Sequence, residues 1–417
     1  MYLTHLSLTN FRNFARLDIE VPRSPLLLVG DNGQGKTSLL EAIYFLATFM
    51  SFHASNERQL INFWADREPL TVARLVASFS RTEGPSVKPV TKTHRLEVRL
   101  ILEETGQNGT SRLRKEILLD GVKRKMSEVI GEFNAVLFLP QMLRIIEGSP
   151  DDRRRYLNLA MAQALPHFAS TLTDFNQVVS QRNALLKQLN EQPYSAANVA
   201  GQLAYWDEQL ARKGAEIMLA RIQVINDLER LAGRIYRELT HEQEVFRIVY
   251  QPSFEPLPAR PGQFSLPLDT TIDRSGLPLE KIASVFLEQL SRARAEEISR
   301  GMTTLGPHRD ELRFLSNQID LGIFGSRGQA RTAVLALKLA EVVWMKEKTS
   351  QWPVLLLDEV LAELDPVRRN DLLSRLLETE QAIMTTTDLD LFSPDFVHNA
   401  RTWYVRSGQV VREEQHL

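Results

Sequence analysis

Hydrophobic positions in the first third of the chain follow the period of β-strands. Residues 1–30 contain two short alternating or apolar runs, Leu3–Leu8 and Leu17–Val21, and then the apolar run Leu26–Val29. Residues 71–140 contain four more such segments, which read TVARLVASF, HRLEVRLILE, RKEILLD and NAVLFL, separated by the turn-rich RTEGPSVKP and TGQNGTS. Alternation with period 2 and turn residues between the runs predict a largely antiparallel sheet over 71–140.

From Asp151 the apolar positions take a helical period. One apolar seam begins at Leu203 and continues to Leu239, about 37 residues, which at ~1.5 Å per residue is a helix about 55 Å long. Residues 251–278 carry six prolines and no sustained period, so they are predicted to form a loop or return segment. A last helix is predicted at Leu279–Arg300. Together these segments predict an antiparallel helical arm.

An alternating α/β pattern resumes after Thr304. It predicts a helix at Gln329–Lys348, a buried strand at Pro353–Leu357, a helix near Val367–Leu377 and a strand at Ala382–Thr386. We therefore predict an α/β fold in which residues 1–150 and 301–417 form one domain with an antiparallel β subdomain. Residues 151–300 are predicted to be a helical arm domain inserted between the two parts.

Composition narrows the class of protein without identifying it. The chain has 417 residues, 43% of them apolar, and no cysteine, so a thiolate metal site and a cysteine nucleophile are excluded. The start, MYLTHLSLTNF, does not have the pattern of a signal peptide, and the longest apolar stretch, Ala42–Met50, is too short to span a bilayer. We expect a cytoplasmic protein with no membrane partner.

A glycine-bounded segment, GDNGQGKT, lies between the apolar run Leu26–Val29 and a helical pattern. Glycines allow the backbone to close around phosphates, so that N–H groups and the positive end of the next helix point at the anion. The motif predicts that Lys36 contacts the β and γ phosphates of a nucleoside triphosphate and that Thr37 binds Mg²⁺. The candidate nucleotide-binding residues are Gly30, Asp31, Asn32, Gly33, Gln34, Gly35, Lys36, Thr37 and Ser38.

A second motif, VLLLDE at Val354–Glu359, ends in two acidic residues and complements this loop. A short, continuously apolar strand is typical of a sheet buried on both faces, with its terminal acids beside the phosphates. Asp358 is predicted to hold the Mg²⁺ shell, and Glu359 to polarise the attacking water as a general base. The alternative is two solvated acids at a strand end.

Ser326, Gly328 and Gln329 precede an amphipathic helix and place a hydroxyl, a small residue and free N–H groups at one helix N-terminus. The arrangement resembles the signature motif of ATP-binding-cassette (ABC) ATPases, although a plain helix cap is the alternative. In that superfamily the signature of one subunit closes over the nucleotide of its partner, which implies a two-fold dimer with two ATP molecules at the interface. Asp365 matches the loop that touches the partner.

Two further positions bear on the same resemblance. Gln141 follows the strand NAVLFL, where such ATPases place a glutamine that links the metal site to the adjoining lobe; a surface glutamine is the alternative. MTTTD, residues 384–388, replaces a switch histidine, and Thr387 is the candidate to bond a γ-phosphate. Because threonine cannot act as an imidazole would, slow hydrolysis is expected. The eight histidines show no metal-ligand spacing.

Six longer motifs, spread over nearly the whole chain, resemble the RecF family of bacterial recombinational repair proteins. They read LTNFRNF (8–14), GDNGQGKTSLLEAIYFLA (30–47), EGSPDDRRRYLN (147–158), TTLGPHRDEL (303–312), SRGQARTAVLALKLAE (326–341) and LLLDEVLAELDPVRR (355–369). Arg12, in the first motif, is a candidate contact to nucleotide phosphate, with a surface arginine as the alternative. His308, Arg309 and Asp310 have no derivable role, and a buried structural cluster is the default interpretation.

The resemblance implies an ATP-dependent DNA-binding protein of recombinational repair and replication restart. Such a protein forms a homodimer on ATP, binds double-stranded DNA near single-strand gaps, hydrolyses ATP slowly, and acts with RecO and RecR to help load RecA. The competing hypothesis is another ABC-type ATPase, either a transporter-energising subunit or a small-substrate kinase. That hypothesis needs a substrate lid or a membrane-partner surface, and the sequence indicates neither.

A local excess of basic residues offers a candidate DNA surface in a chain of formal charge −2. Cations clustered on one surface can bind phosphates even where the mean charge is negative. A solvated polar face on a strand meander is the alternative interpretation. The candidate DNA-binding residues are Arg112, Arg114, Lys115, Lys123, Arg124 and Lys125.

Overall fold

The computed structural model describes residues 1–65, 70–83, 90–104, 111–191, 196–257 and 272–412. The chain forms two compact units. The first unit comprises Met1–Met142, Gln163–Leu165 and Met345–Leu417, and the second comprises Leu143–Ala162 and Pro166–Trp344. The domain boundaries at residues 150 and 300 stay a prediction. Most of the segments RTEGPSVKP and TGQNGTS, and the middle of the predicted loop 251–278, lie outside the described residues.

The β-strands of the described residues have the following bounds: β1 Tyr2–Phe11, β2 Phe14–Glu20, β3 Leu26–Val29, β4 Leu70–Glu83, β5 Val90–Glu104, β6 Ser111–Leu119, β7 Val122–Lys123, β8 Ala135–Phe138, β9 Phe246–Gln251, β10 Glu311–Ser316, β11 Ile319–Asp320, β12 Val354–Asp358, β13 Ala382–Thr386, β14 Arg401–Arg406 and β15 Gln409–Arg412. The α-helices are α1 Lys36–Thr48, α2 Met126–Val129, α3 Arg144–Glu147, α4 Pro150–Ala164, α5 Phe168–Glu191, α6 Ala196–Leu239, α7 Leu279–Arg300, α8 Leu321–Phe324, α9 Arg327–Thr349, α10 Pro366–Leu377 and α11 Pro394–Asn399. None of the described helices is both long enough and apolar enough to cross a membrane.

A six-stranded sheet in the order β15-β14-β3-β13-β12-β8 forms the centre of the first unit. Strands β3, β8, β12 and β13 are buried along their whole length. Continuously apolar strands of this kind belong in a parallel sheet covered on both faces, and β8 pairs parallel with β12, Phe138 opposite Leu357. Placing NAVLFL in the antiparallel sheet was therefore wrong.

The second sheet of the first unit is antiparallel, in the order β2-β1-β4-β5-β6-β7. Its inner face contributes Leu6, Phe79 and Val98 to the same hydrophobic core as Phe45 of α1. Successive side chains of a strand point to opposite faces, so the other face of the sheet carries charged residues. The helix α1, which starts at the end of the motif GDNGQGKT, is thus anchored to the sheet by apolar packing.

Helices α5, α6 and α7 pack together in the second unit. The prediction of an exceptionally long helix is confirmed and extended, because α6 has 44 residues, about 66 Å at ~1.5 Å per residue. Leu186, Leu189 and Leu203 form a small buried cluster against Ile298. A three-stranded sheet, β11-β10-β9, also belongs to this unit and was not predicted.

Buried ion pairs occupy the interior of the second unit. Arg182, fully buried, lies 2.8 Å from Asp207 and 2.7 Å from Glu297. Asp310 is also buried and accepts hydrogen bonds from Arg221 at 3.0 Å and from a backbone N–H. Removing one partner of a buried pair leaves an uncompensated charge, which typically costs 3–5 kcal/mol. Asp310 thus lies in a buried cluster, as the default interpretation expected, whereas Arg309 is exposed and that part of the interpretation was wrong.

His308 gives the second unit a testable dependence on pH. Burial lowers the pKa of this imidazole from 6.5 to about 4, against the hydrogen bond of its Nε2 to the Thr303 carbonyl oxygen at 3.3 Å. Below pH 6.5 the unfolded chain binds a proton that the folded protein does not bind until about pH 4. The free energy of unfolding should therefore fall by up to about 3 kcal/mol across this range.

The variant His308→Gln keeps a donor for the carbonyl but cannot titrate, so it should lose this part of the pH dependence. Denaturant unfolding followed by tryptophan fluorescence between pH 7 and pH 4 measures the difference from the parent chain. The exposed His398→Gln serves as the matched control. Identical pH slopes in the parent and His308→Gln would contradict the assignment.

Candidate phosphate-binding site

The segment Gly30–Thr37 connects β3 to α1 as a tight loop. Gly35 has φ 115°, a left-handed conformation that favours glycine, and a Cβ there would lie 2.4 Å from Asn13 Nδ2. Gly33 also has positive φ, at 78°. The backbone conformation of the loop therefore requires glycine at positions 33 and 35. Asp31, Asn32 and the rest of the loop crest are exposed, as expected of an anion site.

Lys36 lies inside the loop instead of extending into solvent. Only 3% of the residue is exposed, and its Nζ donates to the carbonyl oxygens of Gly30 at 2.6 Å and Asp31 at 3.0 Å. The same ammonium is 3.5 Å from the Glu359 carboxylate. A fixed, poorly hydrated cation held by backbone carbonyl oxygens inside a phosphate-type loop is a strong anion ligand.

Thr37 and Asp358 meet at the edge where β3, β13 and β12 end. The Thr37 hydroxyl donates to the Asp358 carboxylate at 2.9 Å, and the Thr385 hydroxyl donates to the same group at 2.7 Å. The Glu359 N–H in turn donates to Thr385 Oγ1 at 3.0 Å. Glu359 has φ 52°, so its backbone turns sharply out of the strand. Thr385 was missed by sequence reasoning because nothing in MTTTD distinguishes it from its neighbours.

Gln34 connects the loop to two distant turns. Its side-chain oxygen accepts from the Ser407 N–H at 2.6 Å, and its carbonyl oxygen accepts from the Gly408 N–H at 3.0 Å. Asn13 Nδ2 also donates to that carbonyl, at 3.1 Å. Asn13, Ser407 and Gly408 thus support the phosphate loop. Asn13 lies in the motif LTNFRNF, but nothing in the sequence connects it, Ser407 or Gly408 to the loop.

Among the described residues, no three His, Cys, Asp or Glu side chains cluster as a self-sufficient metal site. The Thr37 hydroxyl and the Asp358 carboxylate still supply two adjacent oxygen ligands. Mg²⁺ is characteristically held by one or two protein oxygens together with phosphate oxygens and water. The residues present therefore fit a magnesium ion that binds together with a nucleotide.

Gln141 lies three residues beyond β8, in a short 3₁₀ turn, and is exposed. Because β8 is the parallel neighbour of β12, its end lies on the same sheet edge as Asp358. Gln141 makes no hydrogen bond to any other described residue, so its proposed link to the metal stays a prediction.

Arg12 binds a carboxylate of the loop helix in this structure. Its Nε and Nη2 donate to Glu41 at 2.7 and 2.8 Å, and its Nη1 donates to the Gln59 carbonyl oxygen at 2.9 Å. Glu41 is buried, at 1% exposure, one turn beyond Thr37. A contact of Arg12 to nucleotide phosphate stays a prediction, and it would require these bonds to rearrange.

The signature segment, Ser326–Gln329, lies in the second unit and starts α9. The Gln329 N–H donates to the Ser326 hydroxyl at 3.2 Å, and the Ser326 N–H donates to the Gln329 side chain at 3.1 Å. This is a capping box. Ser326 and Gly328 are exposed, and Gln329 Nε2 lies 3.3 Å from the Glu244 carboxylate. The alternative of a plain helix cap therefore describes the local geometry of this segment. The N-terminus of α9 is nevertheless exposed, so an anion can reach it.

Asp365 starts α10 as its N-cap and accepts from the N–H groups of Val367 and Arg368, both at 3.1 Å. These backbone bonds, that of Arg368 first, lower the pKa of the carboxyl. Thr387 is exposed at the end of β13, whereas the hydroxyl of Thr386 bonds the Asp388 carbonyl oxygen at 2.7 Å. Contact of Asp365 with a partner and of Thr387 with phosphate stay predictions.

The candidate DNA-binding residues do not form one surface. Alternation along β6 places Arg112 and Arg114 on the outer face and Lys115 on the inner face, where Lys115 pairs with Glu57 and lies over the ring of Phe45. Grouping Lys115 with the other five was therefore wrong.

Part of the remaining charge on the outer face is neutralised by acids of the same sheet. Arg114 lies 3.2 Å and Lys123 2.9 Å from Glu116. Arg112, Arg124 and Lys125 are exposed, and their side chains have no ion-pair partner among the described residues.

Comparisons with known proteins agree with this geometry. Residues 2–404 match the family described as RecF/RecN/SMC N terminal domain. The chain is 38% identical to the DNA replication and repair protein RecF of Chloroflexus aurantiacus over 98% of this chain and 99% of that protein. It is 35% identical to RecF of Herpetosiphon aurantiacus over 98% of this chain and 99% of that protein.

Solved structures give the same result. The structure of the recombination mediator protein RecF-ATP in the RecFOR pathway is 27% identical, with a TM-score of 0.79 over 99% of both chains. The RecF-ATPrS structure is 28% identical, with a TM-score of 0.77 over 99% of this chain and 98% of that one. An SMC head at 15% identity and a TM-score of 0.50 shares the fold. The protein is an α/β ABC-type ATPase head with a long helical arm, and it belongs to the RecF family of DNA replication and repair proteins.

Proposed function

We propose that the protein binds ATP with Mg²⁺, dimerises on ATP, and binds duplex DNA near single-strand gaps. In this proposal it acts with RecO and RecR to help load RecA, and it hydrolyses ATP slowly. The observation that carries the proposal is the Thr37–Asp358 contact of 2.9 Å, which joins residues 321 positions apart at one sheet edge. The ATP named for the similar RecF structure supports the choice of nucleotide.

The phosphate loop provides binding energy through charge and preorganisation. Lys36 contacts two loop carbonyl oxygens at 2.6 and 3.0 Å, which hold the ammonium near the position of the phosphates. Thr37 and Asp358 would hold Mg²⁺, which supplies charge neutralisation between the phosphates when bound. Because the site is built before the nucleotide arrives, little conformational entropy remains to be lost on binding.

Glu359 acts as the general base on water in this proposal. Its carboxylate is 3.5 Å from Lys36, and its backbone is fixed by the Thr385 hydroxyl. A general base contributes typically 10²–10⁴-fold to a rate. The position of a switch histidine is taken by the exposed Thr387, which has no titratable group near neutral pH. Slow hydrolysis follows, and the ATP-bound state persists long enough to act as a signal.

Dimerisation would complete the nucleotide site. The exposed N-terminus of α9 carries Ser326 and Gly328, and a helix N-terminus attracts anions through its free N–H groups and dipole. Asp365 caps a second exposed helix end. In a two-fold symmetric dimer, each signature segment meets the phosphate loop of the partner. Both helix ends, that of α9 and the one capped by Asp365, then contribute once from each subunit.

The outer face of the antiparallel sheet is the proposed DNA contact in the first unit. Glu97 there is paired with Arg74 at 2.8 Å and Arg99 at 2.6 Å, which hold its pKa at about 2, so those arginines are already neutralised. Arg112, Arg124 and Lys125 carry the uncompensated charge. Contacts from such residues go to phosphates and position the protein without reading sequence.

Two substitutions separate ATP binding from hydrolysis. Lys36→Met should abolish ATP-dependent dimerisation, because the phosphates lose their principal counterion. Glu359→Gln should keep ATP binding, lower turnover roughly 100-fold or more, and prolong the dimer. Light scattering with and without ATP, together with phosphate release, measures both. A parent chain that stays monomeric with ATP and is indifferent to duplex DNA would contradict the proposed function.

Thr385→Val tests the support of the acidic pair. The substitution removes the donor to Asp358 and leaves the Glu359 N–H without its acceptor, a loss of about 1–3 kcal/mol. ATP turnover should fall about tenfold or more, with a smaller change in ATP affinity. Thr385→Ser retains the hydroxyl and should recover most of the rate. A full rate in Thr385→Val, or equal impairment of the two variants, would contradict the role assigned to the hydroxyl.

Charge reversal tests the DNA surface. Arg124→Glu combined with Lys125→Glu should weaken duplex binding, and should lower the slope of log affinity against log salt by about 2, with ATP affinity unchanged. Fluorescence anisotropy with a labelled duplex at several salt concentrations measures the slope. Arg16→Glu, at an exposed residue of β2 on the opposite edge of the sheet, is the control. An unaltered slope in the first variant removes this surface from the proposal.

A further inference from the structure

The turn between β1 and β2 touches both parts of the phosphate site, the loop and the helix that follows it. The turn consists of Arg12 and Asn13. Asn13 Nδ2 donates to the Gln34 carbonyl oxygen of the loop at 3.1 Å, and Arg12 binds the Glu41 carboxylate of α1. Neither the proposed magnesium ligands nor the proposed general base includes these residues, so their contribution to the site has to come from how they hold it.

Arg12 has a backbone conformation that favours a different residue. Its φ is 51°, in the left-handed region, and a two-residue hairpin with positive φ at its first turn position favours glycine or asparagine there. An outlier of this kind persists where surrounding contacts compensate for it. The Arg12 N–H donates to the Leu60 carbonyl oxygen at 2.8 Å, and the Arg12 carbonyl oxygen accepts from Asn62 Nδ2 at 2.7 Å. Glycine could make these backbone contacts as well, so the side chain is what distinguishes Arg12.

The Arg12 side chain binds Glu41 through two parallel hydrogen bonds. Nε and Nη2 donate to the two carboxylate oxygens at 2.7 and 2.8 Å, and Nη1 donates to the Gln59 carbonyl oxygen at 2.9 Å. Paired N–H donors fix both the distance and the plane of a carboxylate. The Ser51 hydroxyl donates to the same carboxylate. The turn is therefore attached to α1 in one defined geometry, one helical turn beyond Thr37.

The unequal burial of the two partners indicates which of them can leave the pair. The Glu41 side chain is 2% exposed and the Arg12 side chain 22%. A buried carboxylate that loses its cation becomes an uncompensated charge, which costs more than the loss of a partly exposed contact. A phosphate that drew Arg12 away would have to offset that cost, although Lys36 already supplies a buried cation in the loop. The balance favours Arg12 staying on Glu41.

Asn13, the second residue of the turn, packs directly on the phosphate loop. A Cβ at Gly35 would lie 2.4 Å from Asn13 Nδ2, and a Cβ at Gly408 would lie 2.7 Å from the Asn13 carbonyl oxygen. Asn13 Nδ2 also donates to the Gln34 carbonyl oxygen, two residues before Lys36. Because the contact is this close, a displacement of the turn reaches the part of the loop that leads into Lys36.

We propose that Glu41 is a positioning residue for ATP and that it acts through Arg12. By holding Arg12, Glu41 keeps the β1–β2 turn against α1, and the turn keeps Asn13 on the Gln34 carbonyl oxygen. The phosphate loop is then held in its binding shape before the nucleotide arrives, which lowers the conformational cost of binding. The inference rests on the proposed ATP site, and it assigns Arg12 a role other than the predicted contact with phosphate.

The two roles for Arg12 predict different effects of Glu41→Gln. In the positioning role the substitution breaks the paired hydrogen bonds, and ATP affinity should fall about tenfold. If Arg12 were a phosphate ligand, the same substitution would release it from a competitor, and ATP affinity would stay the same or rise. Arg12→Gln should lower ATP affinity about as much as Glu41→Gln. The double variant should be no weaker than either single variant, because both substitutions remove one shared contact.

Titration of the full-length protein with a fluorescent ATP analogue and Mg²⁺ measures affinity, and phosphate release measures turnover. Partial unfolding of a variant would lower kcat in proportion to the folded fraction and leave KM unchanged. The positioning role instead predicts that KM for ATP rises about tenfold while kcat stays within about twofold of the parent. Glu311→Gln is the matched control, because Arg153 binds Glu311 through the same paired geometry, at 2.7 and 3.0 Å, in the second unit. It should leave KM unchanged, and a rise equal to that of Glu41→Gln would contradict the inference.

Asn13→Ala provides the test if the variants of the buried pair do not fold. Asn13 is exposed, so the loss of its side chain leaves the hydrophobic core intact, and KM for ATP should rise about threefold or more. Three results would overturn the inference: unchanged or tighter ATP binding by Glu41→Gln, additive losses in the Arg12→Gln and Glu41→Gln double variant, or an unchanged KM in Asn13→Ala. A parent chain that fails to bind ATP would instead overturn the proposed ATP site, so the two failures are distinguishable.

Discussion

The contact between Thr37 and Asp358 is the constraint on which the phosphate site depends. Two residues 321 positions apart can share a hydrogen bond only if β3, β13 and β12 end on one edge. Parallel pairing of β12 with β13, and of β13 with β3, ensures this, since the carboxyl ends of parallel strands coincide. The intervening strand contributes Thr385, whose hydroxyl holds Asp358 from the other side. The Mg²⁺ ligands of the proposed mechanism are therefore a consequence of strand order.

Other contacts of the first unit hold the phosphate loop at that edge of the sheet. Gly30 has no room for a side chain, because a Cβ would lie 2.4 Å from the Val405 carbonyl oxygen. Gln34 is held by backbone N–H groups of Ser407 and Gly408 in the turn between β14 and β15. The C-terminal hairpin thus fixes both the start and the middle of the phosphate loop. Apolar packing of α1 against the antiparallel sheet fixes the helix that follows.

The sequence predicts the parts of this site that rest on local chemistry. The glycine loop, the acidic pair after an apolar strand and the long apolar seam of α6 each follow from spacing alone. The order of the strands does not, because pairing of β3, β13 and β12 is a long-range choice. For the same reason NAVLFL was placed in the wrong sheet, and nothing in the sequence connected Thr385, Asn13 and Ser407 to the phosphate site. Lys115 was wrongly grouped with the DNA-binding candidates because the face of the sheet on which each β6 side chain lies depends on the pairing register of the strand.

The arm and the signature segment are joined in the second unit by one carboxylate. Glu244, between α6 and β9, accepts hydrogen bonds from Tyr236 of α6 at 2.7 Å and from Ser316 of β10 at 2.5 Å. Its oxygens also lie 3.3 Å from Gln329 Nε2, and the oxygen of that amide accepts from the Ser326 N–H. Because the Gln329 side chain both completes the helix cap and contacts Glu244, one hydrogen-bonded chain connects the C-terminal end of α6 to the N-terminus of α9. The helix end proposed to meet the nucleotide is therefore positioned by contacts with the arm helix as well as by its own cap.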